Sequence, residues 1–240
     1  MKGSKVLTVF LLLVLSFMMP KNLKSQIMEV GVSGGLSYYI GDINPSKHFS
    51  LSQYAFGGTL RYYQNLRWAF RLQYSKYDLK SSDKEIAFMP ERGISFYSKV
   101  NDFSFVTEFN FFDYWTGSEK DFITPYILAG ISCFNFNTTA YEGTETLEPV
   151  GNKWSWSIPF GLGVKYSLSK RIGTTIEWRI HKTFTDEIDS VVDNIINDGK
   201  EEINESFGYK CDWIGTLELS IVYKFNLPRK VNCHSGITIR

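Results

Sequence analysis

The stretch Gly215-Thr216-Leu217-Glu218-Leu219-Ser220-Ile221-Val222-Tyr223-Lys224-Phe225 decides how the rest of the chain is read. Leu217, Leu219, Ile221, Tyr223 and Phe225 share one side. Thr216, Glu218, Ser220 and Lys224 share the other, and Val222 is the only misfit. A period of two marks a strand with one apolar and one polar face. The stretch is long enough for a tilted bilayer crossing, and it ends in aromatics, as strands do where a membrane meets water. Such a strand cannot sit in lipid alone, because its edges carry unpaired N–H and C=O groups. It needs partners that close into a ring.

Seven earlier stretches supply them. They run over about Glu29–Ile40, Tyr54–Tyr63, Trp68–Tyr77, Val100–Phe112, Thr124–Phe134, Trp154–Ser167 and Ile172–His181. Their apolar sides hold Val30, Val32, Gly34, Leu36, Tyr38 and Ile40, then Phe56, Leu60 and Tyr62, then Trp68, Phe70, Leu72 and Tyr74, then Phe103, Phe105, Phe109 and Phe111. Trp154, Trp156, Ile158, Phe160, Leu162, Val164 and Tyr166 follow, then Ile172, Ile176, Trp178 and Ile180. The parity of the fifth stretch is ambiguous. With the closing strand, the prediction is an all-β fold: an eight-stranded antiparallel transmembrane β-barrel.

The connections support this reading. Gln64–Arg67 and Ser169–Arg171 read as tight turns and Asp113–Phe122 as an intermediate one, whereas 41–53, 78–99, 135–153 and 182–214 read as long loops. Outer-membrane barrels place short turns on the periplasmic side and long loops outside. An even strand number puts both chain ends with the short turns.

Alternation turns Arg61, Arg71, Glu108, Lys165, Glu177, Arg179, Glu218 and Lys224 inward. Eight strands leave room for side chains but not for a wide channel. Isolated buried charges are very costly, so these are expected to pair across the lumen as a salt-bridged plug. A proton or ion path is the open alternative, and a general porin is disfavoured.

Composition agrees. The 240 residues suffice for one domain with a sizeable core, and 16% of them are aromatic, the residues of membrane-interface girdles. The net charge of +1 points to no nucleic-acid partner. Lys2 and Lys5 followed by the apolar run Val6–Met19 read as a signal peptide over 1–25. The barrel then occupies 26–225, and a basic periplasmic tail occupies 226–240. That tail carries Arg229, Lys230, His234 and Arg240 and no acid, so it is a candidate docking segment or an unstructured end.

The acidic segment Thr183–Tyr209 has Ile188, Val191, Val192, Ile195 and Ile196 at helix-like spacing, which predicts a short helix. His48 and His181 are expected at the long-loop end and His234 in the periplasm. No His/Cys cluster has metal-ligand spacing. A nucleophilic arrangement can be drawn from Ser190, His181 and Asp186, but spacing does not favour it, so no enzyme and no cofactor are expected. Gly161 and Gly163 lie on an inward face and are read as relieving crowding. Cys133 and Cys211 are expected near the outer rim. Cys233 is across the membrane from both, and an odd thiol in an oxidising compartment suggests an intermolecular disulfide.

Several runs carry a family likeness. Gly34-Gly35-Leu36-Ser37-Tyr38-Tyr39-Ile40-Gly41-Asp42-Ile43-Asn44-Pro45, Glu108-Phe109-Asn110-Phe111-Phe112 and Thr124-Pro125-Tyr126-Ile127-Leu128-Ala129-Gly130 come first. Ile158-Pro159-Phe160-Gly161, Glu177-Trp178-Arg179 and Thr183-Phe184-Thr185-Asp186 follow. Together they resemble the PorG family, the outer-membrane barrel of the type IX secretion system. The resemblance implies a non-enzymatic component of the outer membrane that associates with the periplasmic PorK–PorN ring, PorK being a lipoprotein, and supports protein export. The tail matches no family motif, so Arg229, Lys230 and Cys233 are partner-contact candidates from topology alone. The competing expectation is a surface-exposed binding or adhesion barrel that works through its long loops. A soluble lipid-binding barrel would instead turn the aromatic face inward.

Overall fold

The computed structural model describes residues 27–41, 44, 47–86, 94–142, 145–146, 150–185, 188 and 212–226. The expected signal segment, the tail beyond Asn226 with Arg229, Lys230 and Cys233, and all of the expected helix of the acidic segment but Ile188 lie outside the described residues, as does Cys211.

The elements are β1 (Ile27–Ile40), β2 (Gln53–Tyr63), β3 (Trp68–Ser82), a helical turn α1 (Asp83–Ile86), β4 (Ile94–Asn110), β5 (Ile123–Glu142), the two-residue β6 (Glu145–Thr146), β7 (Val150–Ser167), β8 (Ile172–Thr183) and β9 (Trp213–Asn226). Every strand pairing is antiparallel. β4 pairs β5, β5 pairs β7, and β9 returns to β1 in a register running from Ile27↔Asn226 to Ile40↔Trp213. Each of the eight long strands therefore has two neighbours, and no edge is left for lipid to meet. The fold is a closed eight-stranded antiparallel transmembrane β-barrel. β6 is a short annex on β5.

The first and last strands end together at the end that carries the tight turns. Those turns close on short backbone bonds, Gln64 N to Trp68 O at 3.0 Å and Leu168 N to Ile172 O at 2.9 Å. Alternation sorts the wall as expected. Val30, Phe56, Leu72, Phe103, Trp156, Leu162, Ile176 and Ile221 are exposed on the outside, while the charges point in. This is the reverse of a soluble barrel that shelters its aromatics. On β5, Ile123, Ile127 and Ile131 face out and Tyr126, Leu128, Phe134 and Phe136 are buried inside, which settles the ambiguous parity. Val222, the misfit of β9, is buried inside.

The strands differ from expectation in length. The described parts of the segments read as the long loops 78–99 and 135–153 are largely strand, because β3 runs on to Ser82, β4 begins at Ile94, β5 runs to Glu142 and β7 begins at Val150. The cause is an inversion of polarity. Below this level apolar residues face out. Above it Lys76 and Lys99 face out, while Leu79, Phe96, Val100, Phe136 and Ala140 are buried inside. The period of two persists while its sign flips, as expected where a wall leaves hydrocarbon for water. The long-loop half of the barrel is therefore filled by an apolar core that includes Tyr39, Tyr77, Phe96, Phe134, Phe136, Ile188 and Ile214. The Tyr39 and Phe96 rings meet edge-on at 4.8 Å between centroids.

Candidate functional site: a sealed, ion-paired lumen

The short-turn end is stoppered by the chain between β4 and β5. Tyr114 and Thr116 are buried there, Tyr114 against Tyr63 and Ala69. Gly117, with φ of 93°, allows the turn to fold back beneath the barrel, and its N–H donates to Ser167 Oγ at 2.6 Å. The Thr116 hydroxyl donates to Glu29, and Lys224 Nζ donates to the Thr116 carbonyl oxygen. The Tyr114 and Thr116 hydroxyls lie 3.2 Å apart, and burial pushes the Tyr114 hydroxyl up to about 12.

Above this stopper lies one continuous set of ion pairs. Arg61 reaches Glu29 at 2.8 Å and Glu108 at 2.9 Å. Glu108 also takes Arg71 at 3.0 Å and Lys165 at 2.5 Å. Arg71 reaches both oxygens of Glu177, at 2.9 and 2.7 Å. Arg179 joins Glu177 at 3.3 Å to Glu218 at 2.7 Å. Gln73 bridges the last pair, accepting from Arg179 at 3.2 Å and donating to Glu218 at 2.9 Å. Glu29, Glu108, Glu177 and Glu218 thus balance Arg61, Arg71, Lys165 and Arg179. Neutral groups complete the set: Tyr126 donates to Glu177 at 2.5 Å and Lys165 to Asn110 at 2.9 Å.

Two glycines make room. A Cβ on Gly161 would sit 2.3 Å from the Trp178 carbonyl oxygen and 2.8 Å from Arg179 Cα, and one on Gly163 would sit 2.8 Å from the Tyr126 ring.

A polar layer follows. Asp102 accepts from Ser104 and Ser132, both at 2.5 Å, and Ser132 lies 2.9 Å from Ser157. Ser157 Oγ is 3.2 Å from His181 Nδ1, and Asp102 is 3.9 Å from that same nitrogen. A nucleophile–base–carboxylate relay needs the carboxylate on the opposite ring nitrogen from the serine. Here both meet Nδ1, and all three side chains are buried.

The long-loop end is latched. Thr138 donates to the Ile188 carbonyl oxygen at 2.8 Å, Ile188 N–H donates to Asp212 at 3.1 Å, and Tyr39 donates to Asp212 at 2.6 Å. On the outside of the same rim the Tyr38 ring lies flat over Gly215, where a Cβ would fall 2.0 Å from it. Trp178 Nε1 donates to the Tyr38 hydroxyl at 2.8 Å, and Phe49 covers the ring at 4.7 Å.

Of the eight residues expected to line the lumen, Arg61, Arg71, Glu108, Lys165, Glu177, Arg179 and Glu218 come together in this network. Lys224 points into the mouth opposite Glu29 in register, but its ammonium is spent on the Thr116 carbonyl and lies 5.2 Å from the Trp115 ring. His181, expected outside at the loop end, is inside the lumen, because its position on β8 shares the parity of Glu177 and Arg179. Its partners are Ser157 and Asp102, while Ser190 and Asp186 lie outside the described residues. Sequence reasoning missed Glu29 and Asp102, although both fall on the inward parity of their strands. Cys133 faces out between Phe103 and Trp156.

The architecture is shared with solved outer-membrane barrels. A major outer membrane protein of Thermus thermophilus is similar, with a TM-score of 0.51 at 11% identity over 84% of this chain and 100% of that one. The N-terminal barrel of Pseudomonas aeruginosa OprF gives 0.45 at 14% identity over 82% and 97%. Yersinia pestis Ail, in complex with the heparin analogue sucrose octasulfate, gives 0.47 at 10% identity over 84% and 100%. No curated protein sequence matches the chain. A family model described as a domain of unknown function, DUF6089, matches residues 5–230, and the chain belongs to that family.

Proposed function

We propose that this chain is a closed anchoring barrel of the bacterial outer membrane, with its tight turns in the periplasm, that serves the type IX secretion machinery by holding a periplasmic PorK–PorN ring to the membrane. The observation that carries the reading is closure from both ends. Thr116 stoppers the lumen below, Ile188 latches it above, and paired ions fill it between. Such a barrel offers a fixed body in lipid rather than a route through it. The residues of the PorG resemblance support the same reading. Glu108, Tyr126, Glu177 and Arg179 belong to the ion-pair set, and Gly161 makes room for it. Tyr38, Tyr39 and Thr183 belong to the rim.

Cross-linked capture of the full chain from outer membranes tests the proposal. The expected result is recovery of the ring lipoprotein and its partner. A chain shortened by residues 227–240, or carrying Arg229→Glu and Lys230→Glu, should stay in the outer membrane and lose that capture. A Cys233-dependent band on non-reducing gels would place the disulfide in the same contact. Recovery of no ring subunit by the intact chain would overturn the assignment.

A second reading rests on the raised wall. β3, β4, β5 and β7 continue past the outward aromatics with their own apolar core, a rigid platform suited to presenting binding loops. Replacing the 184–211 loop would abolish surface binding under this reading and leave ring capture intact.

A further inference from the structure

The outward wall of β1 to β4 is not smooth. It carries a groove of about 540 Å³ whose lining includes Val30, Gly58, Leu60, Leu72, Tyr74 and Phe105. Val30, Leu60, Leu72 and Phe105 form one cross-strand row, and Val32, Gly58, Tyr74 and Phe103 form the next. Gly58 contributes no side chain to the floor of the groove. A Cβ there would meet only the Gly31 carbonyl oxygen, at 3.9 Å, so packing does not demand glycine at this position. The slot is apolar and faces lipid.

The row immediately above is Gly34, Phe56, Lys76 and Asn101. Lys76 is the first charge met on this face on the way out of the aromatic band, and Lys99 follows one row higher, opposite Asp78. The acids nearby have donors of their own: Asp78 accepts from Tyr97 at 2.6 Å and Glu85 from Lys80 at 3.0 Å. Lys99 Nζ lies 5.9 Å from the Tyr97 ring centroid. Among the described residues neither Lys76 nor Lys99 forms an ion pair. Tyr74, at the lip of the slot, donates to Asn101 at 3.1 Å and so ties slot and lysine row together.

An apolar slot at acyl depth beneath two unpaired ammonium groups at headgroup depth has the chemistry of an anionic lipid site. We propose that this face holds one phosphorylated glycolipid of the outer leaflet, with an acyl chain over Gly58 and its phosphate between Lys76 and Lys99. The occupant is a lipid rather than a protein because the slot lies within the band that the bilayer covers. The inference rests on the outer-membrane placement proposed above and goes beyond it.

Native mass spectrometry of the full chain in detergent, with monophosphoryl lipid A added, is the test. One lipid should be retained. Lys76→Glu with Lys99→Glu should weaken retention at least tenfold, and Gly58→Phe, which fills the slot, at least fivefold. Lys182→Glu, on the opposite wall, should change nothing. The same lipid stripped of phosphate should bind wild type no better than the phosphorylated lipid binds the double variant. All these changes are on the outer surface, and heat-shifted migration on gels checks that each variant folds. Equal retention by wild type and the slot and lysine variants, indifference to the phosphate, or an equal loss in Lys182→Glu would overturn the site. Fractionation of the native chain away from the outer membrane would instead sink the placement, which the detergent measurement does not address.

Discussion

Arg61 and Arg71 stand directly opposite each other across the β2–β3 ladder, and Glu108 reaches them both, at 2.9 and 3.0 Å. Like charges paired this way destabilise a sheet. The same arrangement recurs with opposite sign, where Glu177 faces Glu218 across β8–β9 and Arg179 joins them. Each repulsive pair is thus held by one ion of the other sign.

Glu108 is therefore the most exposed to loss. Glu108→Gln should leave Arg61, Arg71 and Lys165 without their shared carboxylate, at about 3–5 kcal/mol. Urea unfolding followed by gel migration would read this. Adding Lys165→Met to that variant should recover part of the loss, because Lys165 pairs with no other carboxylate among the described residues, whereas Arg61 and Arg71 keep Glu29 and Glu177. A double variant weaker than the single one would contradict the account.

The stopper makes a separate prediction. Tyr114→Ala opens a cavity against Tyr63 and Ala69 and should cost about 3 kcal/mol. It should also raise proteolysis within 111–122. Unchanged cleavage would mean that the turn is held by its backbone bonds alone.

Tyr38 and Gly215 are one joint. Gly215→Ala pushes the ring from its seat and should speed cleavage near His48 and Phe49, which pack on it. Tyr38→Ala should do the same. The double variant should be no worse than either single one, since contacting residues are not additive. A summed effect would separate the two positions.

Tyr97, above the lipid band, donates to Asp78 at 2.6 Å, and that bond first, with burial second, pushes its hydroxyl up to about 12. A raised folded value means that the contribution is whole below the ordinary tyrosine range and is lost as pH rises through about 12. Asp78→Asn should bring the titration down toward 10, the ordinary value. Ring-labelled NMR, with Tyr97→Phe to assign the signal, would follow it. A midpoint that ignores Asp78→Asn would remove the bond as the cause.

The membrane-facing half of this barrel was legible in the chain. In β7, Trp154 to Tyr166 alternates without a break, and seven of the eight expected lumen residues meet in one network. The other half hid because its alternation inverts. Leu79 and Phe96 turn inward where the wall meets water, so a search for outward apolar residues ends the strands too soon. On β5 the neighbours Ile127 and Leu128 are both apolar, one for lipid and one for the interior, so their parity could not be read. Glu29 escaped notice at a strand start, and the coupling of Thr116 to Glu29 joins turns and strands far apart in sequence, which periodicity does not carry.

The ion-pair set draws on the whole ring. β1 gives Glu29, β2 Arg61, β3 Arg71, β4 Glu108, β5 the Tyr126 hydroxyl, β7 Lys165, β8 Glu177 and Arg179, and β9 Glu218. A half-built sheet would carry bare ions into hydrocarbon, where they are not tolerated. Insertion of this protein must therefore be concerted, or sheltered by an assembly factor until the last hairpin docks, and no stable half-barrel lies on its route into the bilayer.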